Sequence, residues 1–551
     1  MNPSASPFPD GVPTTAQTRG AESAATPARV DPHIGAGHRS HSWRWWVLAV
    51  LCFSVLIINL DNTVLNVALP TLVRELGATS SELQWIVDAY ALAFGGLLLV
   101  FGSLADHVGR KRTFVAGLLS FAAGSAWAAF SGSVSMLIVA RASMGVGAAL
   151  MMPSTLSIIT DVFVHEDERQ RAIGFWAGTS GVGFALGPII GGLLLSHFWW
   201  GSVFLINVPI ALIGVACAVP LVPDSKNPRA KKPDAIGGAL SIVGLGLVLW
   251  SIIEAPSRGW SSTVVIATAT AGLAVIGGFI MWERTTTHPM LNLEFFGRRS
   301  FSMAVSCIGL GAFALLGTLF LLTQFLQFDL GYSALAAGVR MLPIAAALAV
   351  ISPGSSVLVQ RIGIKLVTAL GLLLAAAGLY LTSRLTIQST YTDVLLGMFI
   401  IGAGAALVIP TVSGSVMSSV PRGDTGVGSA TNGTFIQCGG ALGVAVLGSL
   451  LSTSYQDKMA KAVAPFHVPR SVEQVIVGSL GAALGLAARV GGSTGELLAR
   501  AARSAFIDGA GLALRVAAVV ALGGAVLALV LLPRRAEHPP SDETEPGESV
   551  R

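Results

Sequence analysis

Long apolar runs alternate with short polar segments along most of the chain. A helix needs roughly 20 residues to cross about 30 Å of hydrocarbon at about 1.5 Å per residue, and fourteen runs come near that length. The pattern therefore predicts fourteen membrane-spanning helices. The runs are 46–69, 85–105, 113–131, 134–155, 172–195, 202–222, 235–254, 262–282, 300–323, 335–356, 364–382, 393–416, 428–452 and 510–533.

The segments outside these runs differ in composition. Residues 1–43 are rich in Pro, Ala, Ser and Thr and have no apolar core like that of a signal peptide, which predicts a disordered cytoplasmic tail. In 453–508, the run 475–490 is apolar but short, rich in Gly and Ala, and flanked by charge. We therefore expect an external or interfacial amphipathic helix there rather than a further span. Residues 534–551 are expected to form a C-terminal cytoplasmic tail.

Composition narrows the class of protein. With 53% hydrophobic and 11% charged residues and a mean hydropathy of +0.72, the chain is far from soluble globular proteins. The net charge of +5 would suit nucleic acid, but the cations fall in short loops where membrane orientation accounts for them, so no nucleic acid is expected. The cysteines lie in apolar runs without clustering, which predicts neither disulfides nor a metal site. They are Cys52, Cys217, Cys307 and Cys438.

The distribution of cations predicts orientation. With the N-terminus inside, the short inner loops carry fifteen Lys and Arg residues and the short outer loops carry three. Such a bias places both termini in the cytoplasm of a multi-pass protein of the cell membrane. The inner cations are Arg110, Lys111, Arg112, Arg169, Arg171, Lys226, Arg229, Lys231, Lys232, Arg284, Arg298, Arg299, Arg361, Lys365 and Arg422; the outer ones are Arg74, Arg258 and Arg384.

The loop GSLADHVGRKR between the second and third runs has a distinctive spacing. Gly102 is followed by Asp106 at +4, Gly109 at +7, and Arg110 and Lys111 at +8 and +9. An ordinary basic loop would explain the cations but neither the glycines nor the aspartate. The spacing resembles the signature loop of the major facilitator superfamily.

Four further stretches extend the resemblance from the first span to the thirteenth. LDNTVLNVALP (Leu60–Pro70) looks like a first-span motif of the fourteen-span drug:proton antiporter family. Arg141 with Gly145 resembles a buried-arginine motif, and GFALGPIIGG (Gly183–Gly192) resembles the antiporter motif of the fifth span. GGALGVAVLG from Gly439 is similar to the family in span thirteen. Departures from the family pattern are His107, Met144 and Ile436.

The resemblance implies an all-α polytopic membrane protein with the major facilitator fold, two six-helix bundles with two additional spans between them. A weak internal repeat, in which Gly363 aligns with Gly109, agrees with two related halves. The expected divisions are the N-terminal bundle 44–222, a linker with two extra spans 223–283, and the C-terminal bundle 284–533, which includes the external loop 453–508.

The motifs also carry expectations about mechanism. By resemblance, Asp106 and the cations after it latch the two halves together on the cytoplasmic side in the outward-open state. The glycines of span five recur every fourth residue, so they form a smooth face for close packing, and the proline bends the helix. By resemblance, this helix shapes the cavity and limits leakage in an exporter. Its motif residues are Gly183, Gly187, Pro188, Gly191 and Gly192.

Two mid-membrane charges are candidates for proton coupling. Asp61 and Arg141 both lie roughly 10 to 12 Å from the outer surface, and this matching depth permits a pair. Each charge costs about 2.5 to 3.5 kcal/mol in the bilayer, so we expect the two side chains to face a cavity or one another rather than lipid. A packing or kinking role for Asp61 is the alternative. Asp88 and Arg340, at roughly 5 to 8 Å, are candidate cavity or outer-gate residues that we expect to snorkel to the outer surface.

No phosphate-binding loop, HExxH or CxxC occurs in the sequence, and a GxSxG match around Ser493 lacks the context of a nucleophile elbow. We therefore expect no enzyme, no cofactor and no metal, with the proton gradient as the energy source. The leading hypothesis is a proton-coupled antiporter that exports amphiphilic or cationic small molecules and works as a monomer in membrane lipid. The alternatives are a transporter of one physiological metabolite or siderophore, and a non-transporting membrane receptor or enzyme.

Overall fold

A computed structural model describes most of the chain, and every regular element in the part it describes is a helix. The predicted terminal tails lie outside the described residues, apart from residues 41–43 just before span one. Four of the predicted loop cations also lie outside them. The described residues are 41–226, 233–287, 289–291, 293–420, 425–466 and 468–533. The cations outside them are Arg229, Lys231, Lys232 and Arg422.

Six spans form the N-terminal half, and the sixth is divided into two helices with Ile206 between them. Their faces are rich in small residues, so neighbouring backbones approach closely, as is usual between helices in membranes. The helices are α1 (His41–Leu76), α2 (Ser80–Val108), α3 (Arg110–Ala129), α4 (Val134–Val162), α5 (Glu166–His197), α6 (Ser202–Leu205) and α7 (Asn207–Leu221).

Two additional spans follow, α8 (Ala235–Arg258) and α9 (Thr263–Thr285), and they pack against each other. Helix α8 also packs on α2 and on α16 (Thr425–Val463) of the C-terminal half. A hydrogen bond joins the start of α8 to the end of α9, because the indole of Trp282 donates to Asp234 at 2.8 Å. The inserted spans therefore lie along a junction between the two halves.

The C-terminal half starts with a short helix before its first span and continues to the end of the described chain. One turn of wider helix, Phe325–Asp329, extends its first span. Besides α16, the helices are α10 (Leu293–Gly297), α11 (Arg299–Gln324), α12 (Ala334–Arg340), α13 (Leu342–Ile362), α14 (Ile364–Thr382), α15 (Tyr391–Ser418), α17 (Arg470–Gly478), α18 (Leu480–Val490) and α19 (Gly492–Leu531).

The number of spans agrees with the hydropathy pattern. Thirteen helical segments of the described chain are long and apolar enough to cross a membrane. Helix α3 is the fourteenth; it begins with Arg-Lys-Arg, which lowers its mean hydropathy, but its 20 residues pack between α2, α4 and α7. Thirteen predicted apolar runs thus correspond to helical segments that are long and apolar enough to span a membrane, and the run 113–131 corresponds to α3.

The segment 453–508 is helical throughout most of its length. Helix α16 continues through it to Val463, and α19 starts at Gly492, well before the last predicted run. Between them lie α17 and α18, of 9 and 11 residues. At about 1.5 Å per residue, neither of these short helices can cross about 30 Å of hydrocarbon.

The internal repeat has a structural counterpart. Gly109 and Gly363 each join two helices without an intervening residue, and their φ angles are +129° and +84°. A side chain is strained at such angles, so glycine is the residue that permits this abrupt turn. We name the end of the bundle with the Gly109 loop the basic end, and the opposite end the distal end.

The two halves meet at the distal end and part toward the basic end. A Cβ placed on Gly192 of α5 would overlap the backbone of Leu335 in α12, and one on Gly338 would overlap the carbonyl of Pro188. Toward the basic end, only Ala172 is buried among residues 166–182 of α5, and only Ser355 among 350–362 of α13. A cleft between the halves therefore opens at the basic end.

Candidate functional site

A fully buried ion pair joins the first and fourth spans. Arg141 Nη1 lies 2.5 Å from Asp61 Oδ2, and the two side chains are 0% and 1% exposed. The second carboxylate oxygen, Asp61 Oδ1, accepts a hydrogen bond of 2.9 Å from Asn207 Nδ2. Both oxygens thus have donors, so neither is left without a partner in the buried site.

The guanidinium of Arg141 is held by groups on α2 as well. Its Nε donates to the carbonyl of Ile86 at 3.1 Å, and its Cζ lies 4.3 Å from the centre of the Tyr90 ring. Its Nη2 is buried without a hydrogen-bond partner among the described residues. Three elements therefore meet at one arginine, and a change of charge at Asp61 would be felt by α1, α2 and α4 together.

The glycine face of α5 packs directly on α1, which carries Asp61. A Cβ on Gly183 would lie 2.9 Å from the Cβ of Asn59, and a Cβ on Gly187 would overlap the hydroxyl of Thr63. On Gly191 it would lie 3.0 Å from Val64 Cγ1. The predicted close-packing face is therefore present.

The same motif also forms part of the contact between the halves. Gly192 packs on Leu335 of α12, and the carbonyl of Pro188 lies against Gly338 of the same helix. One side of α5 therefore fixes α1, and the other closes the distal end.

A narrow pocket lies where the cleft closes. It is lined by residues of α1, α5, α11 and α13 and by Met341 between α12 and α13, so both halves contribute to it. Asn66 supplies the amide oxygen Oδ1, which is buried and has no partner in the part of the chain that the structure describes. The lining residues are Thr63, Asn66, Phe184, Ala185, Pro188, Leu319, Met341, Leu342 and Ala345.

The signature loop ties three spans of the N-terminal half together. Arg110 Nε donates to Asp106 Oδ1 at 2.7 Å, its Nη1 forms an ion pair with Asp161 of α4, and the same atom donates to the carbonyl of Ser157 at 3.2 Å. Gly102 faces α4 as well, because a Cβ there would meet Pro153 at 3.5 Å.

In this conformation Asp106 is engaged within its own half. Lys111 is half-buried at the start of α3. The latch between halves implied for the outward-open state stays a prediction.

Asp88 and Arg340 are not brought together. Arg340 is held at the distal end between the rings of Tyr332 and Tyr391, with its Cζ 3.9 and 5.4 Å from their centres. Asp88 is 0% exposed, so the expectation that it snorkels to the surface is wrong. Asp88 lies on the side of α2 that faces α8 and α16, and these helices cover it. Its depth in the membrane did not predict this orientation about the helix axis.

Sequence reasoning missed the residues that complete the charged site. Asn207 is the first residue of α7, and its amide also lies 3.4 Å from the Ser125 hydroxyl of α3. An isolated asparagine within the run 202–222 was the available signal, because an amide inside an apolar span needs partners. The described cysteines are free, and no described cluster of His, Cys, Asp and Glu could hold a metal ion.

Comparison with known proteins finds resistance and efflux proteins among the relatives of this chain. The chain is 33% identical over 509 residues to the tetracenomycin C resistance and export protein of Streptomyces glaucescens, covering 92% of this chain and 94% of that one. It is 34% identical over 469 residues to the methyl viologen resistance protein SmvA of Salmonella typhimurium, covering 84% and 93%. It is 32% identical over 498 residues to the multidrug efflux pump LfrA of Mycolicibacterium smegmatis, covering 89% and 96%.

The fold has solved counterparts as well. A bacterial homologue of the human lysosomal transporter Spinster, in an inward-facing and occupied conformation, superposes with a TM-score of 0.62 at 16% identity, covering 90% of this chain and 98% of that one. The family model of the Major Facilitator Superfamily matches residues 51–444. Two halves of six spans, a buried charged pair and a cleft that opens at one end are the parts of a transporter rather than an enzyme, and the chain belongs to the Major Facilitator Superfamily.

Proposed function

We propose that the chain exports amphiphilic or cationic small molecules across the cytoplasmic membrane in exchange for protons. The observation that supports this proposal most directly is the buried ion pair of Asp61 on α1 and Arg141 on α4. Helix α1 also supplies Thr63 and Asn66 to the pocket at the closed end of the cleft. One helix thus links a titratable carboxyl to the place where a substrate would bind.

The positive-inside bias supports a cytoplasmic location for the basic end and for both termini. With this orientation the cleft is open to the cytoplasm, which is the side from which an exporter collects its substrate. The names of relatives, which include resistance and export proteins and a multidrug efflux pump, support the direction of transport and a small-molecule substrate.

Protonation of Asp61 is the proposed coupling step. In the conformation described here, the carboxyl group of Asp61 accepts hydrogen bonds from a guanidinium and an amide. After the halves rearrange and the site opens to the outside, a proton on Asp61 would release Arg141 and favour discharge of the substrate. Loss of that proton to the cytoplasm would restore the pair and reset the cycle.

The proton gradient is the proposed source of energy for moving the substrate outward. Each proton contributes about 1.4 kcal/mol per pH unit, and each charge that crosses contributes about 2.3 kcal/mol per 100 mV of membrane potential. Neither a bound cofactor nor a metal is needed, and a single chain in lipid contains both halves of the cleft.

Inverted membrane vesicles test the proposal. When the lumen is made acidic, vesicles with the chain should accumulate ethidium, and vesicles without it should not. A susceptibility panel with methyl viologen, puromycin and representative metabolites then separates a broad exporter from a transporter of one solute. Absence of gradient-driven accumulation for every compound would contradict proton-coupled export.

A further inference from the structure

The carboxyl group of Asp88 is buried at the junction between the two halves. It belongs to a row of residues on α2 with spacings of three and four, which is the pattern of one helix face. The other members of the row contact α16 or pack in a cluster with it. The row consists of Gln84, Asp88, Ala91, Gly95 and Leu98.

The register of the two helices shows what Asp88 faces. A Cβ on Gly448 would lie 2.7 Å from Gln84 Cδ, and a Cβ on Gly95 would lie 2.9 Å from Gln437 Cβ. Numbers rise along α2 as they fall along α16, so the helices run antiparallel. Asp88 is therefore level with the middle of the α16 segment between those two contacts.

That part of α16 is apolar, and so is the nearby part of α8. One turn along α2 from Asp88, Ala91 packs in a buried cluster with Leu249 of α8 and with Ala441 and Ala445 of α16. Neither Asp88 oxygen has a hydrogen-bond partner among the described residues. The carboxyl thus lies on the face of α2 that packs against α8 and α16, one turn from an apolar cluster of all three helices.

One helical turn from Asp88 toward the distal end, the junction of α2, α8 and α16 contains polar groups that are joined by hydrogen bonds. The hydroxyl of Ser449 on α16 donates to the carbonyl of Ile252 on α8 at 2.6 Å and lies 3.3 Å from Gln84 Oε1. The amide of Gln84 in turn donates to the carbonyl of Ser80 at 3.3 Å. These groups have partners without Asp88, so the aspartate is not part of this network.

Charged groups on the surrounding helices are engaged elsewhere. Arg141 of α4 reaches the opposite face of α2, and the ion pair of Arg258 with Glu254 lies about 10 Å toward the distal end by helical rise. On α16 the nearest charges are at 457 and 458, about 13 Å beyond the Gln84 contact. On α2 itself, Glu82 caps the first turn.

We propose that Asp88 acts as a proton-dependent latch for the distal end, which closes only while this carboxyl is neutral. An ionised carboxylate that is buried without a partner costs several kcal/mol. The closed junction therefore requires the protonated form. When the halves separate at the distal end, water reaches the carboxyl and it can ionise, and closure then requires a new proton.

This latch differs from the coupling pair in its effect on transport. In the present conformation Asp61 has Arg141 and Asn207 as donors, whereas neither oxygen of Asp88 has a partner among the described residues. Asp88 takes up and returns its proton on the same side of the membrane. It therefore adds nothing to the number of protons moved, but it makes closure depend on the pH at the distal side.

Distances between spin labels at the distal end test the latch. Labels are attached to cysteines introduced by Gly132→Cys and Gln388→Cys, one in each half, after replacement of the native cysteines. The measurement is made in lipid nanodiscs from pH 5 to pH 9. The background is Asp61→Asn, which removes the titration of the coupling pair, and no substrate is added.

We expect the ratio of separated to closed distal ends to rise with pH, by up to about tenfold per unit, because closure binds one more proton. Addition of Asp88→Asn should abolish the rise, so that the ratio no longer changes between pH 5 and pH 9. The matched control is Glu82→Gln, which removes a half-buried carboxylate from the first turn of the same helix and keeps a capping residue, so the rise should remain.

Two results would overturn the latch. One is an unchanged pH dependence with Asp88→Asn. The other is failure of the Asp88→Asn chain to insert and fold, because an amide is nearly isosteric with the neutral carboxyl that the closed junction requires. The measurement needs no substrate and no gradient, so its failure is distinct from failure of the proposed export.

Discussion

Replacement of the coupling carboxylate by an amide, Asp61→Asn, has consequences that the geometry of the site defines. Asp61 accepts bonds from Arg141 on one oxygen and from Asn207 on the other. The new amide can still accept from Arg141, and its NH₂ group would then face the NH₂ group of Asn207. Rotation of the Asn207 amide removes that conflict, because its own oxygen is buried and unpartnered. The fold should therefore survive the change.

The cost is the loss of charge. Removal of one partner from a buried ion pair costs about 3 to 5 kcal/mol, and the remaining hydrogen bond recovers about 0.5 to 1.5 kcal/mol. We expect a net loss of about 2 to 4 kcal/mol from the conformation in which Asp61 and Arg141 are paired. Because about 1.4 kcal/mol is a factor of ten, its population should fall by roughly 100-fold relative to the alternative.

The assay compares two modes of transport in inverted vesicles. With an acidic lumen, the wild-type chain should accumulate ethidium, and Asp61→Asn should not raise it above the equilibrium level. Without a gradient, both should exchange labelled for unlabelled ethidium, because exchange needs no proton. The control is Glu75→Gln on the same helix, at an exposed position near the distal end, and it should accumulate normally.

Full gradient-driven accumulation by Asp61→Asn would refute the coupling role. Loss of accumulation and exchange together, with a normal amount of protein in the membrane, would also count against it. That outcome would indicate that Asp61 supports packing or substrate binding.

Three further predictions concern the helix face, the loop and the topology. Gly187→Leu should reduce both ethidium efflux and the amount of inserted protein, because the side chain would overlap Thr63 at a cost of at least about 1 to 3 kcal/mol. The control is Gly181→Leu, which should be close to wild type because a Cβ at Gly181 has no described neighbour within 4 Å. Equal efflux and insertion by the two variants would reject the packing argument. Asp106→Asn should slow efflux without lowering insertion, so a wild-type rate would remove the gate role. A cysteine introduced by Gln474→Cys should react with an impermeant maleimide from outside the cell, and protection would disprove the external location of α17.

Hydropathy predicted the spans well because burial in hydrocarbon depends mainly on side-chain composition. It did not predict helix lengths. Helix α16 has 39 residues and α19 has 40, because backbone hydrogen bonding continues after the chain leaves the apolar layer. Hydropathy marks the thickness of hydrocarbon, and only the capping and packing of the polar ends decide where a helix stops.

The pair of charges was predictable for a similar reason. Asp61 and Arg141 are expensive alone at mid-depth, so matching depth in two spans indicates a partner. The environment of Asp88 was not predictable, since its burial depends on how α2 is rotated and on which helices cover it. Asn207 was missed because an amide inside an apolar span indicates that it has partners but not which helices supply them.

The contact between the glycine face of α5 and α1 also limits how this transporter can adapt to new compounds. Gly183, Gly187 and Gly191 leave no room for larger side chains between α5 and α1. Substitutions there would separate the two helices, so selection for a different substrate cannot change this side of the pocket in that way. The opposite wall has larger, adjustable side chains, among them Leu319 and Met341. Variants selected under drug pressure should therefore accumulate on the C-terminal side of the pocket.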